Sequence, residues 1–189
     1  MNHSQLWLIR HGETEWSATG RHTSFTDVPL TDAGRASAER LAGVLSNQVF
    51  DLVLTSPMKR AMETCELAGF LTGALTTSDL SEWNYGKYEG VTTDAIRRDH
   101  PGWSLFFDGC PGGESIDDVV ARADRLVARV RATNGPVIAF GHGHILRVLA
   151  ARWVGAPGIL GANLVLSTAT ISILGWERES PAIMRWNLS

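Results

Sequence analysis

The chain has 189 residues and a formal net charge of -3, a length that suits one domain with a sizeable core and a balance that excludes a general nucleic-acid binder. Cys65 and Cys110 are too few for a disulfide scaffold and form no CxxC pair, so a reducing, cytoplasmic setting is expected. The longest apolar runs are broken by Arg, Gly or His well short of the ~20 residues that a membrane-spanning helix needs.

Residues 1–9 carry no cleavable signal pattern, and 6–9 read as a buried strand that Arg10-His11-Gly12 ends. Residues 20–29 are a polar loop. Thr31 is placed to cap a helix in which Ala38, Leu41, Ala42 and Leu45 form one apolar stripe. A second strand is expected at 52–54, then a helix with Ser56 as N-cap and Pro57 in its first turn, running to about Leu67. A weaker strand at 75–80 leads into Glu82-Trp83-Asn84-Tyr85-Gly86. A short helix at 93–99 follows, and then loop, because Pro101, Gly102, Pro111 and further glycines crowd that stretch. Ser115 and Asp118 make a capping-box-like start, after which Ile116, Val119, Val120, Ala123, Leu126, Val127 and Val130 recur at helical spacing. Gly135-Pro136 turns into an apolar strand at 137–140, whose exit is Gly141-His142-Gly143-His144 before a helix at about 145–153. Two strands at 170–175 and 183–186, joined by a polar turn, close the chain. Short apolar strands alternating with helices predict an α/β fold, a three-layer α/β/α sandwich around a mainly parallel sheet in a single domain.

In such a sheet ligands sit beyond the carboxyl ends of the strands. The strand exits here carry unusual residues, and one pocket could collect His11, His142, Arg10, Arg60 and Glu82. Two histidines, two arginines and a carboxylate suit phosphoryl chemistry, because arginine forks onto phosphate oxygens and helix N-termini add backbone donors. Singly, each has a plainer reading. The histidines of Gly141-His142-Gly143-His144 could be loop residues or metal ligands as well as catalytic groups, Arg60 a solvated helix residue and Glu82 a surface carboxylate. No HExxH is present, and two arginines would repel a dication.

The motifs also come in a telling order. Arg10-His11-Gly12-Glu13-Thr14 with Trp16, Thr31-Asp32-Ala33-Gly34, and Thr55-Ser56-Pro57 with Arg60 and Thr64 are followed by the Glu82 loop with Glu89-Gly90. Pro111-Gly112-Gly113-Glu114-Ser115 and Gly141-His142-Gly143 complete the set. The set resembles the histidine phosphatase superfamily, which includes the cofactor-dependent phosphoglycerate mutases, over about residues 6–153. The resemblance implies a phosphoglycerate mutase-like fold and a metal-independent phosphatase without a cofactor, working through a phosphohistidine. His11 would be the nucleophile, Arg10, Arg60 and His142 would surround the phosphate, and Glu82 would act as general acid and then base. The backbone at Gly143 would help to hold the phosphate. Ser17 stands where the family usually has asparagine.

The loop at 20–27 resembles members that hydrolyse sugar phosphates or bisphosphates, with Arg21 and His22 placed for a second anionic group and Thr23 and Ser24 for hydroxyls. Residues 91–113 read as a small lid. In it Arg97 either binds a second anion or joins Arg98 on a solvated face, and Trp103, Phe106 and Phe107 either pack the lid down or line the leaving-group side. Its shortness favours a phosphatase over a mutase, which stays as an alternative beside a non-catalytic phosphate-binding member. The expected partner is a small phosphorylated metabolite, with no nucleic acid and no membrane, in a monomer or homodimer.

Overall fold

The computed structural model describes residues 4–189, so the first three residues of the stretch read as lacking a signal pattern lie outside the described residues. The chain runs through strand β1 (Leu6–Arg10), helices α1 (Glu15–Ala18) and α2 (Asp32–Leu45), strand β2 (Leu52–Thr55), helix α3 (Lys59–Leu67) and strand β3 (Leu75–Thr76). Helices α4 (Thr93–Asp99), α5 (Leu105–Asp108) and α6 (Ile116–Arg131) precede strand β4 (Val137–Gly141) and helix α7 (Gly143–Trp153). Strands β5 (Ile171–Glu177) and β6 (Ser180–Leu188) end it, and short 3-10 helices occur at Ser78–Leu80, Gly86–Tyr88 and Gly158–Asn163.

The strands form one sheet in the order β3-β2-β4-β1-β5-β6. The first four are parallel neighbours, and β5 and β6 are added antiparallel. Side chains alternate across each strand, so each feeds two layers. Leu6, Leu8, Leu54, Val137 and Ala139 join the core that includes α6 and α7, whereas Ile9, Ile138, Phe140 and Ile171 join the one that includes α2 and α3. Burial on both faces is why these strands read as continuous apolar runs. No helix among the described residues is long and apolar enough to cross a membrane.

Register then decides where the chemistry lies. Arg10 pairs with Gly141, and Thr55 pairs with Phe140. The three parallel strands therefore end nearly level, and the residues just past them, Ser56, His142 and His11, line one sheet edge in that order.

Several expectations need correction. Helix α3 begins at Lys59 rather than after Ser56, because Asp27 Oδ1 accepts from the Lys59 N–H at 3.0 Å and replaces a local cap. The strand at 75–80 stops at Thr76, since the Thr77 hydroxyl accepts from the Asp79 N–H and opens a 3-10 turn. Helix α1 was not anticipated; a reciprocal capping box between Thr14 and Ser17 supports its single turn. Helix α5 lies in the stretch expected to be loop, where burial of Leu105 and Phe106 outweighs the flanking glycines. The caps at Thr31 and at Ser115 with Asp118 form as the spacing indicates.

Candidate active site

His11 leaves β1 with its backbone N–H still bonded to Gly141 O at 3.0 Å. The next N–H, that of Gly12, donates to Thr64 Oγ1 at 2.9 Å, and a Cβ on Gly12 would lie 2.6 Å from Gly34 O. Only glycine lets the loop pass so close to α2. From the other side the Ala169 N–H donates to Arg10 O and His11 O, at 3.0 and 3.2 Å, out of left-handed backbone with φ of 52°. His11 Nδ1 is 2.7 Å from Gly12 O. A carbonyl only accepts, so Nδ1 carries the proton and the Nε2 lone pair is left for the cavity. Burial, reinforced by Arg10 and Arg60, pushes His11 down to about 3, and the ring is neutral at neutral pH.

Around His11 stand cationic and neutral donors that are incompletely satisfied. Arg10 donates from Nη1 to Leu166 O. Arg60, fully buried in α3, donates to Thr26 O at 3.1 Å, Thr23 O at 3.2 Å and Ser24 O at 2.9 Å. The ring of His142 lies 5.1 Å from that of His11, with its Nε2 2.8 Å from Ser56 Oγ. Ser56 Oγ accepts from the Met58 N–H and, among the described residues, has no other acceptor for its own proton, so it donates to His142 Nε2 and leaves the His142 proton on Nδ1. Arg10 Nε, Arg60 Nε and His142 Nδ1 are then three buried N–H groups without a hydrogen-bond partner. Leaving each unpaired costs about 1–3 kcal/mol, which an anion placed among them would recover.

Glu82 approaches from a loop clamped to α6. The Trp83 indole donates to Glu114 O at 2.9 Å, the Asn84 N–H donates to Glu114 Oε2 at 2.8 Å, and Arg122 forks onto the same carboxylate at 2.8 and 2.9 Å. The Glu82 carboxylate thereby caps α7. Oε1 accepts from Trp83 N–H at 2.9 Å and Ile145 N–H at 3.0 Å, while Oε2 accepts from His144 N–H at 3.0 Å. Burial alone would raise this carboxyl. The hydrogen bond and charge of the His144 ring, followed by His142 and the backbone donor, hold it well below the usual carboxylate value.

The cavity in front of His11 has a volume of about 200 Å3. Of the residues singled out by sequence, Arg10, Ser17, Arg21, His22, Thr23, Glu82 and Gly143 line it with His11, whereas Arg60 and His142 are fully buried and are not part of its lining. Two others do not reach it either. The Ser24 hydroxyl and N–H are both committed to the Glu89 carboxylate, and Arg97 is turned away to donate to Trp103 O at 2.8 Å. The Ser17 hydroxyl donates to Thr14 O at 3.0 Å, and His22 Nδ1–H donates to Val91 O at 2.6 Å. Tyr85, Thr93, His144, Arg147 and Leu166 complete the lining and were not anticipated. Spacing could have found Arg147, which follows His144 by three residues on α7 and so shares its face. Leu166, whose carbonyl accepts from Arg10, has an apolar side chain that gives no such signal. Among the described residues no three His, Cys, Asp or Glu side chains are grouped to hold a metal ion.

These buried histidines link stability to pH. Between pH 6.5 and about 3 unfolded chains bind a proton at His11 that the folded protein does not, so folding stability rises with pH across that window. The contribution is complete above pH 6.5 and lost progressively toward pH 3, up to about 5 kcal/mol for His11 alone. Glu82, held low, adds a loss of the same sign as pH falls below the carboxylate range. Urea denaturation from pH 4 to pH 8 should give a steep fall on the acid side, flattened in His11→Asn; parallel profiles for the two proteins would contradict it.

The chain matches the family model for the histidine phosphatase superfamily (branch 1) over residues 6–189. It is 44% identical over 180 residues to an acid phosphatase of Mycobacterium tuberculosis, spanning 93% of this chain and 88% of that relative. With a sedoheptulose 1,7-bisphosphatase of Saccharomyces cerevisiae it shares 32% identity over 181 residues, or 78% of this chain and 66% of the relative. The solved structure of the product of a Mycobacterium tuberculosis open reading frame superposes with a TM-score of 0.92 at 40% identity, covering 100% of this chain and 99% of that one.

Proposed function

The chain belongs to the histidine phosphatase superfamily, and from that premise we propose that it hydrolyses small phosphomonoesters through a phosphohistidine on His11. One observation carries this reading: the free Nε2 of His11 faces a cavity around which three buried N–H groups lack partners. Non-bridging phosphate oxygens accept from Arg10 Nε, Arg60 Nε and His142 Nδ1, and the charge that gathers on them in flight is stabilised by the two guanidiniums. Nε2 attacks phosphorus as the bond to the leaving oxygen breaks, and Glu82 Oε2–H protonates that oxygen. Water then attacks the phosphohistidine and gives its proton to the Glu82 carboxylate, and the P–N electron pair returns to Nε2. The surroundings of Glu82 favour its carboxylate form. A phosphate dianion beside it adds like charge and favours the acid form that the first step needs.

The leaving group is a small polar alcohol, in our reading a sugar or sugar phosphate. Its hydroxyls and any second anion would meet Arg21, His22, Thr23 and the free end of Arg147, whose Nε and Nη2 are held by Gly161 O and Ala162 O at 2.8 and 2.9 Å. The activities of the two relatives, an acid phosphatase and a sedoheptulose 1,7-bisphosphatase, support this class. We read the whole chain as one domain, with residues 91–113 as its lid and the cytoplasm as its setting. The position of Thr93 in the cavity wall and the contact of Trp103 with the His22 ring support the lid.

A phosphate-release screen over sugar phosphates, bisphosphates, phosphoglycerates and nucleotides, run with chelator, tests the reading. Sugar phosphates should turn over at undiminished rates in chelator. Loss of activity in chelator, or transfer between phosphoglycerate positions faster than hydrolysis, would overturn it.

A further inference from the structure

Strand β6 lies beyond the ordered motifs, yet it reaches the loop that holds Arg10. Ile171 pairs with Leu188 and Ile173 with Arg185, so Trp186 and Asn187 together oppose a single residue of β5, Ser172. The extra residue is a β-bulge on the edge strand of the sheet. Asn187 stands in it in left-handed backbone, with φ of 56°, and its N–H donates to Ser172 Oγ at 3.0 Å. Asparagine is among the few side chains that adopt this conformation readily.

A bulge takes side chains out of the regular pleat and re-aims them. Here two are aimed at the loop between the 3-10 helix at Gly158–Asn163 and β5. The Trp186 indole N–H donates to Val165 O at 2.6 Å, and Asn187 Oδ1 accepts from the Ser167 N–H at 2.7 Å. The Thr170 hydroxyl donates to Ser167 O at 2.8 Å and secures the other end. Strand β6 thus grips the residues on both sides of Leu166. Leu166 is buried, and its carbonyl accepts from Arg10 Nη1, the one side-chain hydrogen bond of Arg10 among the described residues. Held at Nη1, the guanidinium keeps its other edge, Nε with Nη2, for a fork onto two phosphate oxygens. Nε is one of the three buried donors without a partner.

We propose that Trp186 and Asn187 are positioning residues for phosphate binding, fixing Leu166 O and through it the edge of Arg10 that meets the phosphate. This deepens the phosphatase reading and rests on it, because it needs Arg10 among the phosphate's neighbours. An arginine side chain has many rotamers, and the cost of choosing one falls on ligand binding unless the protein has already chosen. Leu166 O makes that choice, but a loop carbonyl is only as fixed as its own supports, and those are the two side chains of the bulge. The backbone of Arg10 needs no such help, since β1 is paired on both sides, with β4 and β5. The bulge therefore acts on the side chain and not on the strand.

Asn187→Gly keeps the left-handed backbone and removes the amide, and Asn187→Asp restores an acceptor. In the glycine variant the dissociation constant of inorganic phosphate, measured by calorimetry below the melting temperature, should rise about tenfold, the scale of one lost hydrogen bond. Aspartate should recover most of it. In an Arg10→Met background Leu166 O has no guanidinium to hold, and the same glycine substitution should change affinity by less than about twofold. An equal rise in both backgrounds, or none with Arg10 present, would overturn the proposal. Proton exchange at Arg10 Nε, followed by 15N NMR without phosphate, reads the anchor itself. It should quicken about tenfold in Asn187→Gly, well beyond any change in the β1 amides. Equal quickening of both would mark a general loosening and refute the proposal too. Trp186→Phe, which keeps a ring and loses the N–H, serves if the glycine variant does not fold. If wild-type protein binds no phosphate, the phosphatase reading fails, and exchange at Arg10 Nε still decides whether β6 holds the arginine.

Discussion

His11→Ala is expected to lower turnover roughly ten-thousand-fold or more, the scale seen when a covalent nucleophile is deleted from a site whose electrostatics survive. The reason lies in what the substitution leaves behind. Arg10 Nε, Arg60 Nε and His142 Nδ1 belong to other residues and would still meet a phosphate, whereas the lone pair at Nε2 is gone. Binding and chemistry should therefore separate: inorganic phosphate continues to raise the melting temperature of the variant while phosphate release stops. Mass spectrometry of wild-type turnover mixtures quenched at alkaline pH, where the P–N bond survives, should find one phosphoryl group on the peptide containing His11 and none in the variant. Full activity in His11→Ala, or a phosphopeptide elsewhere, would remove His11 from the nucleophile's role.

Arg60→Met is expected to damage both stability and catalysis. The guanidinium is fully buried and donates to the carbonyls of Thr23, Ser24 and Thr26, so it shapes the loop that walls the cavity. Methionine fills much of the same volume but leaves these carbonyls without their donor, at a cost of about 3 kcal/mol or more. In the proposed reaction it also removes one of the two cations that would face the phosphate. A hundredfold or greater fall in kcat/KM is expected, on the order of 3 kcal/mol of transition-state stabilisation. Lysine should rescue little, because a point charge cannot donate to a loop and a ligand along separate fork directions. Urea unfolding measures the first effect. The stabilisation by inorganic phosphate measures the second and should be nearly lost. A variant of wild-type stability that phosphate still stabilises would show that Arg60 serves neither purpose.

Much of the fold could be read from the chain. The apolar runs at 137–140 and 6–9 and the periodic face of α6 announced themselves because burial on two sides, or on one helical stripe, leaves a local trace. Features that depend on distant partners left none. Helix α3 begins where Asp27 supplies its acceptor, and α5 exists because Leu105 and Phe106 find a core to enter. The same division runs through the cavity. Ser24 and Arg97 carry the right chemistry for a phosphorylated ligand, but Glu89 and the Trp103 carbonyl claim them first. Arg147 lines the cavity on the helix face it shares with His144, a spacing the sequence does carry, whereas Tyr85 sits in the Glu82 loop, where no periodicity says which residue turns inward.

By itself the sequence determined the layered α/β class, since that follows from local periodicity, and its ordered motifs, through the family they resemble, supplied the candidate reactive groups. Which tautomer each histidine adopts, which donors remain unpaired, and that Glu82 caps α7 beside His144 were decided by the tertiary structure alone. The physical reason is the level ending of three parallel strands. It brings His11, Ser56 and His142 together across more than a hundred residues of chain, and a proton's place is set by neighbours in space rather than in sequence.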